Sequence, residues 1–297
     1  MRLRVAIVSP RNWRHAVALA LTLLAASAVL AACSTTTTPS AKASAPAGST
    51  TAPAPAPTPT PPASKHYPHQ VALFGDSLAW EAQPFWTSFI HEDNDAAISS
   101  DTFGGTATCD FLNRMREVEA RDHPVAVELL FSGNNLTPCM KGLELYTGAY
   151  YQAYRDNTLA AIRIFSTGDT HVYLIGAPIT KKQVSIPGWQ KLNQLYAQLA
   201  QADPGRVTYV NAGLAVEGPG ATFTQTLPCL EGQPCTGPTA DGTPTNVVRA
   251  PDGTHFCPGK EGDVHGVIEG CPVYSSGAYR FAQAMTAPLV TTGPTNP

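Results

Sequence analysis

Charge is scarce in this sequence. Only 14% of its 297 residues are Asp, Glu, Lys or Arg, well below the roughly 25% of an average soluble chain. The 19 bases and 22 acids give −3; setting aside Arg2, Arg4, Arg11 and Arg14 leaves 15 against 22, or −7. A mildly acidic chain without a basic stripe offers nothing to a phosphate backbone, so no nucleic-acid partner is expected. Several motifs are missing as well. There is no Gly-x-Ser-x-Gly elbow, which excludes the usual α/β-hydrolase placement of a nucleophile. There is no His-Glu-x-x-His and no Gly-x-Gly-x-x-Gly, which removes the zincin motif and the dinucleotide cradle. No Cys-x-x-Cys pair occurs and the histidines lack ligand spacing, so neither a metal nor a cofactor is expected.

What is present begins with an unusual first 68 residues. Four arginines precede an almost purely apolar run, Ala16 to Ala32, the layout of a secretory signal over 1–32. The run closes with Leu30-Ala31-Ala32-Cys33, which resembles the bacterial lipobox; that resemblance implies that Cys33 is acylated and begins the mature chain. An uncleaved membrane helix is the rival, since 17 apolar residues are at the lower limit for spanning. Ser34 to Lys65 is almost only Ser, Thr, Ala and Pro and cannot bury a core, so 33–68 reads as a lipidated cysteine and a disordered tether. Fully extended it would reach on the order of 100 Å. The implied location is the outer face of the bacterial cytoplasmic membrane or cell envelope.

Six further cysteines remain: Cys109, Cys139, Cys229, Cys235, Cys257 and Cys271. An even number in an exported chain reads as three disulfides. Pairing nearest in sequence gives Cys109–Cys139, Cys229–Cys235 and Cys257–Cys271, one of 15 possible connectivities.

Residues 69–290 read as one domain of alternating strands and helices, with a disordered tail at 291–297. Short apolar runs lie at Gln70–Phe74, Ala97–Phe103, Val125–Phe131, His171–Ile175 and Arg206–Val210. Helical stretches lie at Leu78–Ile90, Asp110–Ala120, Ala149–Phe165, Gly188–Gln201 and Ser276–Ala287. Apolar strands separated by helices predict an α/β fold, a three-layer α/β/α sandwich around a parallel sheet of about five strands. Asn211 to Thr245 is rich in Gly, Pro and Thr and reads as a disulfide-pinned loop near the site.

Four polar blocks follow strand ends. Gly75-Asp76-Ser77 sets a serine at a strand-to-helix turn, where it could be a nucleophile if a base removes its proton or could merely cap the helix. Gly104-Gly105 could bring a bare backbone N–H to a reacting oxygen. Ser132-Gly133-Asn134-Asn135 offers an amide donor for an oxyanion. Asp252-Gly253-Thr254-His255 places a carboxylate where it can orient an imidazole, or where it makes an ordinary Asx-turn. The other histidines (His66, His69, His91, His123, His171 and His265) read as surface or satisfied core residues.

The order Gly-Asp-Ser, glycine, Gly-x-Asn, Asp-x-x-His is similar to the SGNH/GDSL hydrolase superfamily. Val248-Arg249-Ala250-Pro251-Asp252-Gly253-Thr254-His255 resembles a variant common in actinobacterial members. The resemblance covers roughly 69–290 and implies a flavodoxin-like sheet. It also implies Ser77 as nucleophile, His255 as base and Asp252 as its orienter. The oxyanion hole would comprise Ser77 and Gly105 N–H groups and the Asn135 side chain, with Gly104 an alternative to Gly105. The family's Gly-x-Asn-Asp ends here in Leu136. The function so implied is hydrolysis of a short O-acyl ester, such as acetyl, on envelope glycan or lipid. A monomer with an acylated substrate and a membrane anchor as its partners is expected. An O-acyltransferase using the same triad and a non-catalytic glycan-binding module are the alternatives.

Overall fold

A computed structural model describes residues 69–94, 96–257, 270–271 and 274–292. The signal, Cys33 and tether assignments (1–68) and the residues beyond 292 lie outside them. Five parallel strands form the central sheet: β1 (Gln70–Gly75), β2 (Ala97–Thr102), β3 (Ala126–Leu130), β4 (His171–Ile175) and β5 (Val207–Val210). Their spatial order is β2-β1-β3-β4-β5, with Val71 level with Ile98 on one side and Ala126 on the other. Strands buried on both faces need apolar residues on both faces, and Val-Ala-Leu-Phe of β1 supplies them. Successive side chains point to opposite sides: Val71 and Leu73 enter one core, Ala72 and Phe74 the other.

The first core lies under α1 (Ser77–Asn94) and α5 (Ser276–Thr292), filled by Trp86, Ile90, Phe281 and Met285. The second lies under α2 (Thr108–Asp122), α3 (Gly148–Phe165) and α4 (Lys191–Ala202), filled by Met115, Phe165, Leu174 and Tyr196. This is the three-layer α/β/α sandwich. Helix α5 continues past Pro288 to Thr292, beyond the expected boundary at 290; a reading from sequence stops it at Ala287 because proline removes an N–H and crowds the preceding turn.

The stretch after β5 is more structured than a loop. It holds a helical turn at Ala212–Val216 and a short antiparallel hairpin of β6 (Thr226–Pro228) and β7 (Thr245–Val247). Its disulfide-closed tip packs toward α5, where Ser276 Oγ donates to Gln233 Oε1 at 3.0 Å. Closer to the site, Gln225 Nε2 donates to the Ala250 carbonyl at 3.0 Å, two residues before Asp252. All three disulfides pair nearest neighbours: Cys109–Cys139, Cys229–Cys235 and Cys257–Cys271.

Strand order reverses at β1, which is flanked by β2 and β3. In open parallel sheets such a reversal opens a crevice beyond the carboxyl ends of the strands. The chain leaving β1 enters it at Ser77, and the chain leaving β3 enters it at Ser132.

Candidate active site

The turn out of β1 is tight. A side chain at Gly75 would collide with Ala79 Cβ and the Leu130 carbonyl, so the strand can pass into α1 only with glycine there. Asp76 then caps the helix. Its carbonyl accepts from Trp80 N–H at 3.0 Å and its Oδ1 from Leu78 N–H at 3.1 Å, the N-cap pattern. Its Oδ2 accepts from Ser132 N–H and Oγ–H, both at 2.6 Å, and from Asn134 Nδ2 at 3.0 Å. Asp76 is fully buried, and burial raises its pKa although the bonds from Ser132 and Leu78 pull the other way. One carboxyl thus caps α1 and ties the end of β1 to the end of β3. Because Asp76 holds the cap, the Ser77 hydroxyl is left for another partner.

That partner is His255, whose Nε2 lies 3.1 Å from Ser77 Oγ. His255 Nδ1 lies 2.6 Å from Asp252 Oδ2. The second oxygen, Oδ1, accepts from Thr254 N–H at 2.9 Å and His255 N–H at 3.0 Å. Burial alone would raise the Asp252 pKa, but these N–H bonds and the imidazole outweigh it and hold the carboxyl below its ordinary range. The turn requires Gly253, which has φ +71° and no room for a side chain beside Lys181. Its carbonyl accepts from Lys181 N–H at 2.8 Å.

Arg249 and Glu81 clamp this loop on either side of His255. Arg249, 1% exposed, donates from Nη1 to the Thr254 carbonyl at 3.1 Å and from Nη2 to the Ile179 carbonyl at 3.3 Å. Its guanidinium also lies 5.0 Å from the centre of the Phe256 ring. Burial lowers its pKa to about 10, against the pull of Glu217, Glu81 and Asp252. On the other side, Glu81 Oε2 accepts from Phe256 N–H at 2.8 Å, and burial pushes its pKa up to about 8.

The two asparagines after β3 divide their tasks. Asn134 Nδ2 donates to Asp76 and, at 3.2 Å, to the Thr106 carbonyl, which uses both its hydrogens. Asn135 Nδ2 donates to the Leu143 carbonyl at 2.8 Å, which leaves one hydrogen for an incoming oxygen. Tyr150 and Tyr154 hydroxyls hold the carbonyls of Gly133 and Asn134, each at 2.8 Å. Gly104 stands beside the serine: a Cβ there would lie 3.8 Å from both Ser77 Cβ and the Trp80 ring. Gly105, with φ +79°, faces Leu136, and a Cβ there would lie 4.0 Å from its Cδ1. The Cys109–Cys139 bridge joins the first turn of α2 to the loop after Asn135. Cys109, Asp110 and Cys139 form a cluster of potential metal-ligand atoms, but its two sulfurs are bonded to each other.

Residues 70–262 match the family described as "Protein of unknown function (DUF459)". The chain belongs to the DUF459 family. No curated protein matches it in sequence. Among solved structures it is similar to a Bacteroides fragilis protein assigned as an acylhydrolase, at 15% identity and TM-score 0.49, covering 78% of this chain and 90% of that one. It is also similar to a GDSL-like lipase from Bacteroides thetaiotaomicron, at 13% identity and TM-score 0.44, covering 75% and 88%. An acetylxylan esterase from Geobacillus stearothermophilus, crystallised as a catalytic mutant, gives 11% identity and TM-score 0.41, covering 50% and 78%. All three have TM-scores below 0.5 and are likenesses only.

In this DUF459 domain the sequence-predicted Ser77, Asp252 and His255 come together, with Gly104 next to the serine. Asp76, Asn134, Glu81 and Arg249 are the site residues that reading from sequence passes over. Asp76 and Asn134 stand inside motifs noticed for their neighbours. Glu81 and Arg249 carry a weak signal, a charge within a stretch that is otherwise apolar.

Proposed function

We propose that this protein is an extracytoplasmic serine esterase that cleaves short O-acyl esters on envelope glycan or lipid. The observation that carries the reading is the hydrogen-bonded chain from Ser77 Oγ through His255 to Asp252, at the crevice where the strand order reverses. A serine hydroxyl becomes a useful nucleophile only beside a base, and the Asp252 contact sets Nδ1 as the protonated nitrogen, so that Nε2 can accept. Ser77 Oγ attacks the ester carbonyl while Nε2 takes its proton. The negative oxygen meets the Ser77 N–H, the N–H of Gly105 or Gly104, and the spare Asn135 hydrogen. Collapse expels the alcohol, protonated by His255, and leaves acyl-Ser77; water, deprotonated by His255, then releases the acid.

The location rests on the Arg-rich apolar leader, the lipobox-like Leu30–Cys33 and the Pro/Thr/Ala tether, which together suit a lipid-anchored enzyme held off a membrane surface. Fluorophosphonate labelling of the purified, oxidised protein, mapped by peptide mass, tests the chemistry. Label at Ser77 that disappears in His255→Ala is expected. No label, or label at another residue, refutes the proposed nucleophile.

A further inference from the structure

A second cavity opens on the same edge of the sheet as Ser77, between the start of α4 and the segment that follows β5. It has a volume of about 320 Å³ and is bordered by Trp189, Gln190, Gln194, Tyr209, Asn211 and Glu217, within the range of small-ligand sites. Its chemistry is selective. Lys and Arg are missing from its lining among the described residues, and neighbouring Lys191 turns its ammonium over the Tyr151 ring, 5.8 Å from the centre. An anion would therefore meet only a carboxyl. An acyl chain would cover the amides of Gln190 and Gln194 without offering them partners, which is costly. A half-buried indole beside a phenol and several amides suits a ligand with an apolar face and a rim of hydroxyls.

Glu217 adds a fixed acceptor. It is 9% exposed, and its Oε1 is occupied by Ile179 N–H at 2.7 Å, which leaves Oε2 to meet a ligand hydroxyl. Tyr209 hydroxyl donates to Asn211 Oδ1 at 3.3 Å, which orients that amide. The cavity is also joined to the loop that carries His255. The Ile179 N–H that holds Glu217 belongs to the residue whose carbonyl accepts from Arg249, and Arg249 in turn holds Thr254.

We propose that this cavity is a subsite for a neutral sugar ring, so that the ester cleaved at Ser77 is carried on an oligosaccharide. Cleavage rests on the esterase reading; the sugar subsite rests on the cavity alone. Tyr209 is the penultimate residue of β5, and Ser77 follows β1, three strand positions away in the order β1-β3-β4-β5. At the usual strand spacing that is about 14 Å, a separation that a few linked sugar rings would span.

Binding and turnover are measured separately. Calorimetric titration with two unacylated probes, xylotetraose and the β-1,4-linked tetramer of N-acetylglucosamine, needs no catalysis. Binding of at least one tetramer to the wild type is expected, weakened about tenfold or more by Trp189→Ala and by the solvent-side Gln194→Ala. Both variants should hydrolyse p-nitrophenyl acetate at the wild-type rate, which also reports an intact fold, but lose about tenfold in kcat/KM on an O-acetylated form of whichever oligosaccharide binds. Failure of both tetramers to bind at about 10 mM, or binding unchanged in both variants, overturns the subsite. Tetramer binding without any ester turnover would sink the esterase reading and leave the sugar site standing.

Discussion

Asp252→Asn separates what the two oxygens of one carboxyl do. In the native turn Oδ1 holds the backbone N–H groups of Thr254 and His255, while Oδ2 faces the imidazole at 2.6 Å. An asparagine that keeps its oxygen on the backbone preserves the turn and points its NH₂ at His255 Nδ1. That nitrogen must then accept, so the proton moves to Nε2, which donates to Ser77 and can no longer take its proton. The flipped amide restores the imidazole contact but sets a donor against two backbone N–H groups. The flipped form is disfavoured because it leaves those two N–H groups unpaired, so the variant settles in the first form, which loses the base at little cost to the fold. The expected loss in kcat is about 10⁴-fold, or about 5 kcal/mol of barrier, with a melting temperature near that of wild type. Asp252→Ala should lose comparable activity and also about 1–2 kcal/mol of stability, because the two backbone bonds go as well. Hydrolysis of p-nitrophenyl acetate and thermal melting of the three proteins read both quantities. Asparagine activity within tenfold of wild type, or an alanine variant as stable as wild type, would refute this division of labour.

Two further predictions concern stability. Glu128 is fully buried, accepts from Trp86 Nε1 at 2.8 Å, and has its pKa pushed by burial up to about 8. Between about pH 4.5 and pH 8 the folded state keeps a proton that the unfolded chain has released, so stability falls as pH rises, by at most about 1.4 kcal/mol per pH unit. Glu128→Gln keeps the acceptor for Trp86 and removes that contribution, so it should gain on wild type by about 3 kcal/mol between pH 5 and pH 7.5 in urea unfolding; an unchanged pH slope would contradict it. Cys109→Ser with Cys139→Ser opens a bridge across 30 residues and should cost about 3–4 kcal/mol. It should also lower kcat by loosening the Asn135 loop; equal denaturation midpoints in the variant and the oxidised wild type would contradict the stability effect.

Much of this fold was legible because three of the apolar runs lead directly into the blocks Gly75–Ser77, Gly104–Gly105 and Ser132–Asn135, and parallel sheets put ligands at those ends. Val71 to Phe74 reads as a buried strand from four residues. The order of strands does not read so directly, since β1 pairs with both β2 and β3 through backbone groups that look alike in any sequence. The site divides the same way. Asp252 and His255 are three apart, and a turn suffices to bring them together. Which glycine of the pair stands beside Ser77, and which asparagine keeps a hydrogen free, depends on the orientation of single peptide units that Asp76 and the two tyrosines impose. The partners that matter most for Glu128 and Arg249 are 42 and 70 residues away, beyond the reach of any local pattern. A short helical turn and hairpin after β5 hid in Gly, Pro and Thr for the opposite reason, because their stability comes from α5 and a disulfide rather than from propensity.

Ser77 and His255 meet across 178 residues, and the helix packed beside α1 is α5. Every pairing in the main sheet is parallel and so joins segments that are distant in the chain, the kind of topology that folds slowly. Helices and the first strands can form while the imidazole is still far from the serine. An incomplete or partly folded chain therefore contains no activated hydroxyl, and on refolding from denaturant the capacity to react should return after the circular dichroism signal. The reaction is in this sense under kinetic control by folding itself, with maturation built into the distance between two side chains.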